Sequence, residues 1–310
     1  MRSAGRDIAE LFGFQPDDTR RGAVDGYETQ RCPFSEGTCT KTNHDGSVVY
    51  GVCSVREGSG KSSRDIVICP TRLYAEKHAA LRQVASLVWG KSATLVISGD
   101  LASLRARARA IEFPVVAFGH GSGREIALRA HGGMSLDWVL QSYRRQRGEL
   151  VPDSFVGVEV QSIDTTGNYR ECHESYAKQK RRVAVRHVVA SSHGLNFANV
   201  HKRLIPQIIR KGNIFSHVER CKGFAFVVPE EVYERFDETL SHPSETGGFS
   251  RESVSVLPCA LGAEKKFGEI RDLKLLPVRH FLLDDIKRAF SHDTEGDAPR
   301  QLDEVLRTIL

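Results

Sequence analysis

Apolar and polar residues alternate at period two through the stretch 157–164, GVEVQSID, and the β-branched Val158, Val160 and Ile163 complete the signature of a strand. That period places Glu159 and Gln161 on one face and Val158 and Val160 on the other. A carboxylate and an amide on so apolar a strand have two explanations: an edge strand with a wet face, or a metal site whose first ligand is Glu159. Elsewhere, the spacing of Ile8, Leu11 and Phe12 predicts a short helix over 7–14. Residues 26–71 are rich in Gly, Ser, Thr and Cys, with β-like pieces at 48–55 and 66–68.

From Pro70 the pattern becomes α/β. It predicts helices over 75–88 and 102–110, strands over 93–98 and 114–118, and a helical turn at 125–130. A strand over 135–143 with Asp137 near its start and a loop over 148–153 lead into GVEVQSID. Downstream come a helix over 197–210 that Pro206 kinks or opens, a strand over 224–228, and a helix over 230–240 behind Pro229. After a loop at 241–252, strands at 253–257 and 273–276 and helices at 281–290 and 301–310 close the chain, the helices separated by a polar linker at 291–300. Helices alternating with short apolar strands predict a layered α/β core.

Composition narrows the class. At 310 residues with 40% apolar content the chain can fill one large core or two ordinary ones. The N-terminus lacks an apolar signal core, and no run approaches the roughly eighteen apolar residues of a membrane span, so a soluble, cytoplasmic protein is expected. Seven cysteines then point to free thiols or metal ligands rather than disulfides. Cys32, Cys39, Cys53 and Cys69 fall in the turn-rich segment, where four thiolates on one metal would staple a lobe that buries little apolar area. Their spacing, C-x6-C-x13-C-x15-C, is not that of a common zinc finger, and soft thiolates accept iron or zinc. Cys172, Cys221 and Cys259 are expected to be buried thiols.

Charge adds a partner. Between Arg170 and Lys222 twelve Lys and Arg face three acids, a net +9 that leaves −4 on the remainder of a +5 chain. Such a segment suits a polyanion, whose binding is driven by counterion release, although a solvated basic face is the alternative. Two phosphate-loop look-alikes fail: GSGKSS at 58–63 has Val55 where a Walker loop needs its first glycine, and Gly119, Gly121 and Gly123 are followed by Arg124 where a dinucleotide fingerprint needs its third. Both read as flexible turns. His173 and His187 sit in the basic segment, with a structural or solvent role expected over a phosphate contact.

Asp137 and Glu159 therefore lie on adjacent predicted strands, with Gln161 two residues beyond the glutamate. This resembles the PD-(D/E)xK nucleases, in which two carboxylates hold Mg²⁺ and a lysine at the third position helps to polarise the attacking water. Gln161 can hydrogen-bond such a water but brings no charge. Lys178 and Lys180 are nearby residues that could help.

Further stretches carry a narrower resemblance: RDIAELFGF, CPF with the four cysteines and the ending ICPTR, VEVQSIDTTGNYR, LNFANVHKRLIPQIIRKG and CKGFAFVVP. Together they resemble the NotI type of type II restriction endonucleases over most of the chain. The resemblance implies a PD-(D/E)xK restriction-endonuclease-like α/β core, a mixed central sheet flanked by helices over 74–310, and a small metal-bound four-cysteine lobe within 1–73. Matched residue by residue, it puts the catalytic acids at Asp137 and Glu159, the glutamine typical of that family at Gln161, and the ligands of a structural metal, iron in that family, at Cys32, Cys39, Cys53 and Cys69. It also implies a homodimer cutting a GC-rich palindrome with a GGCC core, leaving four-base 5′ overhangs, and a methyltransferase as functional companion. Base-reading residues do not carry over. Arg144, Arg145, Lys180, Arg181, Arg182, Lys202, Arg203, Arg210 and Lys211 are candidates for contacts to double-stranded DNA. A metal-stapled DNA-binding protein without catalysis, and a repair or structure-specific nuclease on the same core, are the alternatives.

Overall fold

The computed structural model describes residues 6–35, 37–43, 45–119, 126–128, 134–183 and 187–292. Strands β1 (Asp7–Leu11), β2 (Val52–Glu57) and β3 (Arg64–Val67) form a three-stranded antiparallel sheet, with helix α1 (Arg21–Thr29) between the first two. Next come α2 (Ala75–Trp89), β4 (Thr94–Val96), α3 (Leu101–Arg109) and β5 (Pro114–Gly119). A small hairpin, β6 (Ile126–Leu128) with β7 (Met134–Leu136), precedes a long one, β8 (Trp138–Gln146) with β9 (Glu149–Val160). The two-residue strands β10 (Thr165–Thr166) and β11 (Gly194–Leu195) flank α4 (Arg170–Lys180). Then follow α5 (Ile205–Ser216), β12 (Cys221–Pro229), α6 (Glu230–Thr239), β13 (Ser253–Leu261), β14 (Leu273–Leu275), β15 (Arg279–Leu282) and α7 (Leu283–His292).

Eight strands make the main sheet, in the order β14-β13-β12-β9-β8-β5-β4 with β15 also paired to β13. It is mixed: β12 runs parallel to both β9 and β13, whereas β8 is antiparallel to β9 and β5. The strand bearing Glu159 is internal, which excludes the edge-strand explanation. Period two then sorts its side chains between two helical layers. Val156, Val158 and Val160 join Ala225 and Val227 of β12 against Leu81, Val84 and Ala85 of α2. Phe224, Phe226 and Val228 pack on the other face with Ile205, Ile208 and Phe215 of α5. Each such buried aliphatic or aromatic side chain contributes about 1.5–3 kcal/mol.

The mixed α/β layering agrees with the sequence pattern, and several elements depart from it. Residues 7–11 are a strand, not a helix, and every one of them is buried. A bulge lies between Ile8 and Leu11, and with one extra residue a spacing of three returns to the same side of a strand, imitating helical spacing. Ile126–Leu128 is a strand, whereas a helical turn is expected at 125–130. The expected loop at 148–153 is instead the start of β9, because Arg147 (φ 52°) and Gly148 (φ 84°) turn the chain in two residues. The strand expected over 135–143 breaks at Asp137, and 279–282 is a strand ahead of the last described helix. Helices α1 and α4 are additional elements, and the helix expected at 301–310 lies outside the described residues. Pro206 sits in the first turn of α5. Glu76, Lys77 and His78 all have positive φ, so the regular part of α2 begins after them.

Candidate active site

Asp137 is the residue at which the chain leaves one sheet for another: Leu136 pairs with Ile126 in the small hairpin and Trp138 with Val158 in the main sheet. Gly119 makes that switch possible. It has φ +153°, and a Cβ there would stand 1.9 Å from the Asp137 carbonyl oxygen, so only glycine lets β5 press this close. The flexible turn expected at Gly119 is in fact the end of β5 supporting the candidate acid.

The two carboxylates meet and hold each other through the main chain. The Asp137 N–H donates to Glu159 Oε1 at 3.3 Å, and the Val160 N–H donates to Asp137 Oδ2 at 2.9 Å. Glu159 is 5% exposed, and Asp137 is half-buried. Burial first, and then the charge of Asp137, push the Glu159 carboxyl up to about 7, against the pull of Lys211. Gln161 follows the end of β9. Its main-chain N–H donates to the Val227 carbonyl, and its amide Nε2 donates to the Ser162 carbonyl at 2.9 Å.

Lys211 is the group that sequence reasoning misplaced. It stands on α5, only 6% exposed, with Nζ 2.5 Å from Glu159 Oε2. The backbone spacing that allows this comes from Gly157, two residues before Glu159 on the same face of β9. A Cβ at Gly157 would lie 2.5 Å from the Phe215 ring, and Phe215 is one helical turn beyond Lys211. The missing side chain draws α5 down until its lysine reaches the glutamate.

The other DNA-contact candidates separate by position. Lys180 is buried and donates to the Asp18 carbonyl at 2.8 Å, and Lys211 is buried against Glu159, so neither stands on the exposed surface with the other candidates. Arg144 and Arg145 are exposed near the tip of the β8–β9 hairpin, where Arg145 donates to the Ile111 carbonyl and Arg144 faces Asp153 at 3.8 Å. At about 3.3 Å per residue, these two arginines lie roughly 23–26 Å from Asp137 along the strand. Arg181, Arg182, Lys202, Arg203 and Arg210 are exposed, and Arg203 bonds Asp164 at 3.1 Å. His173 is buried, and desolvation holds it down to about 4, so it is neutral and not a phosphate contact. A cavity of about 790 Å³ opens on the α2 side of Trp138, lined by Phe34, Tyr74, His78 and Arg107 among others. Neither candidate acid lines it.

Of the four cysteines expected to hold a metal, Cys39, Cys53 and Cys69 are buried and Cys32 is half-buried. Burial raises Cys39 and Cys53, and each is raised further by neighbouring thiols: Cys39 by Cys69 and Cys32, Cys53 by Cys69 and Cys39. The four thiols thus share one electrostatic neighbourhood, and the Lys41 N–H already donates to Cys39 Sγ at 3.4 Å. Among the described residues no group of three or more His, Cys, Asp or Glu is drawn together closely enough to hold a metal ion. Cys172, Cys221 and Cys259 are buried thiols, as expected.

Among the described residues no helix is long and apolar enough to cross a membrane. A comparison with curated proteins gave no match. The family described as restriction endonuclease NotI matches residues 23–246, a span that contains the four cysteines, both carboxylates, Gln161 and Lys211. On that match the chain belongs to the NotI restriction endonuclease family and is a type II restriction endonuclease, a site-specific deoxyribonuclease acting on DNA.

Proposed function

We propose that this enzyme uses Mg²⁺ held by Asp137 and Glu159 in a PD-(D/E)xK core, and that it cuts a GC-rich palindrome with a GGCC core as a homodimer, leaving 5′ overhangs. The observation that carries the reading is the reciprocal bonding of the two carboxylates, Asp137 N–H to Glu159 and Val160 N–H to Asp137. Like charges repel, and a divalent cation held by both carboxylates would relieve the repulsion. When bound, Mg²⁺ lowers the pKa of a coordinated water and neutralises charge on the phosphoryl oxygens. The chain's own part is to hold the acids: Val160 fixes Asp137, Asp137 fixes Glu159, and the half-buried Gln161 borders them. Hydrolysis adds the water oxygen to phosphorus as one P–O ester bond breaks; one water proton ends on the leaving oxygen and the other goes to solvent as the new monoester ionises.

Twofold symmetry presents one such site to each strand of a palindrome. Of the basic candidates, Arg181, Arg182, Lys202, Arg203 and Arg210 are exposed and free of burial costs, which suits them to phosphate contacts. The test is a digest of a plasmid of known sequence in Mg²⁺ and, separately, in Ca²⁺. Discrete fragments in Mg²⁺ alone, all ending at one GGCC-containing palindrome with 5′ extensions, are expected. A smear, or cleavage unrelated to that core, would sink the specificity reading and favour a nuclease of broader action.

Soft thiolates suit iron or zinc, and on this reading Cys32, Cys39, Cys53 and Cys69 would draw closer together to hold one, releasing protons as they deprotonate. Elemental analysis is expected to find about one Fe or Zn per chain, lost when Cys53 and Cys69 are both replaced by Ser. Metal-free protein that still melts cooperatively would remove the metal from these cysteines.

A further inference from the structure

We propose that Lys211 is the cationic group of the active site, delivered from α5 to the position that Gln161 leaves without charge. The inference rests on the assignment of Asp137 and Glu159 as the acids and extends it. Phosphodiester hydrolysis accumulates negative charge on the phosphoryl oxygens, and a fixed ammonium beside that charge stabilises it more in a water-poor site than in water. Gln161 offers only a dipole, and its Nε2 is directed to the Ser162 carbonyl. Lys211 Nζ is 2.5 Å from Glu159 Oε2, so any water that donates to that carboxylate lies within about one further hydrogen bond of the ammonium.

The fold goes to some length to put it there. A buried ammonium costs several kcal/mol unless it is paired. Lys211 is 6% exposed on a helix whose neighbouring turns carry the apolar Ile208 and Phe215 against the sheet. Gly157 omits the one side chain that would lift this helix away. The alternative of a purely structural counterion for Glu159 predicts that any residue able to bond that carboxylate and keep the helix seated preserves cleavage.

The experiment compares Lys211→Gln and Lys211→Arg with the wild type in full-length protein. Single-turnover cleavage of a plasmid fragment carrying the site is measured at saturating Mg²⁺, alongside DNA binding in Ca²⁺, thermal melting, and calorimetric titration of the DNA-free protein with Ca²⁺. The Gln variant is expected to melt cooperatively and bind DNA within about threefold of wild type, yet to cleave at least 100-fold more slowly, with Arg recovering tenfold or more over Gln. Removing the ammonium also lets Ca²⁺ bind the carboxylates about tenfold more tightly. Cleavage by the Gln variant within threefold of wild type overturns the proposal. Failure of the Gln and Arg variants alike to fold assigns Lys211 to stability and overturns it too. If the wild-type protein itself gives no Mg²⁺-dependent fragments, the reading of the carboxylates fails instead, a result that the variants cannot imitate.

Discussion

Replacing Asp137 by Asn is expected to lower the Mg²⁺-dependent single-turnover cleavage rate by about 10³-fold or more, while DNA binding in Ca²⁺-free buffer is kept or tightened. The amide oxygen of Asn can still accept from the Val160 N–H, so the local backbone is preserved. What is lost is one of two charges available to a divalent cation, and several kcal/mol of transition-state stabilisation at about 1.4 kcal/mol per factor of ten gives that magnitude. Glu159→Gln is expected to be equally inactive but less stable. It leaves the Lys211 ammonium buried without its counterion, whereas nothing buried loses its partner charge in Asp137→Asn. Denaturant melts of the two variants check this asymmetry, and a Glu159→Gln protein as stable as Asp137→Asn would show that the Lys211 pair is unimportant to the fold. A cleavage rate near wild type in either variant would remove that residue from the chemistry.

The largest stability effect is expected at Arg72, at the end of the ICPTR stretch. Its guanidinium and the Glu10 carboxylate are both fully buried and bonded twice, at 3.0 and 3.1 Å. Arg72 also donates to the Arg271 carbonyl at 2.8 Å and lies 4.5 Å over the Phe34 ring, while the Ser54 hydroxyl donates to Glu10 at 2.9 Å. One guanidinium thus ties β1 and β2 to the segment leading into β14. Arg72→Met strands the glutamate without a cation and is expected to cost about 3–5 kcal/mol, roughly 10 °C in Tm. Adding Glu10→Met removes the stranded charge and is expected to recover at least half of that loss, because an apolar pair replaces an ionic one with little penalty. Thermal melts of the single and double variants decide the matter. An additive double variant, worse than either single one, would mean that the pair's packing rather than its charge matters.

How much of this was legible in the sequence depends on how local the signal is. GVEVQSID reads as a strand because its alternation is a property of consecutive residues; the strand ends at Val160, short of Gln161–Asp164, and within it Val158 and Val160 face away from Glu159 for that reason. Asp137 and Glu159, proposed as neighbours from adjacent strands, do come together. The helix expected over 7–14 failed because one bulge changes the period, and a bulge leaves no mark in composition. The long hairpin was hidden by its own two-residue turn, in which Arg147 adopts a conformation usually left to glycine or asparagine. Lys211 was read as one more residue of a basic run, since nothing in IIRKG distinguishes a lysine facing water from one facing a carboxylate. Gly157 and Gly119 show the same limit: their importance is the absence of a side chain opposite Phe215 and Asp137, which only tertiary proximity defines.

The separation of Lys211 from the carboxylates along the chain bears on how the site comes into being. Asp137 and Glu159 are joined by a single hairpin, whose closure needs only the two-residue turn at Arg147 and Gly148. Lys211 arrives from roughly 50 residues further on, after α4 and its neighbouring loops are in place and α5 has docked, a contact with a far larger entropic cost of closure. A nascent or partly unfolded chain therefore assembles the two acids before their cationic partner. The Lys211–Glu159 ion pair is thereby confined to molecules that have finished folding.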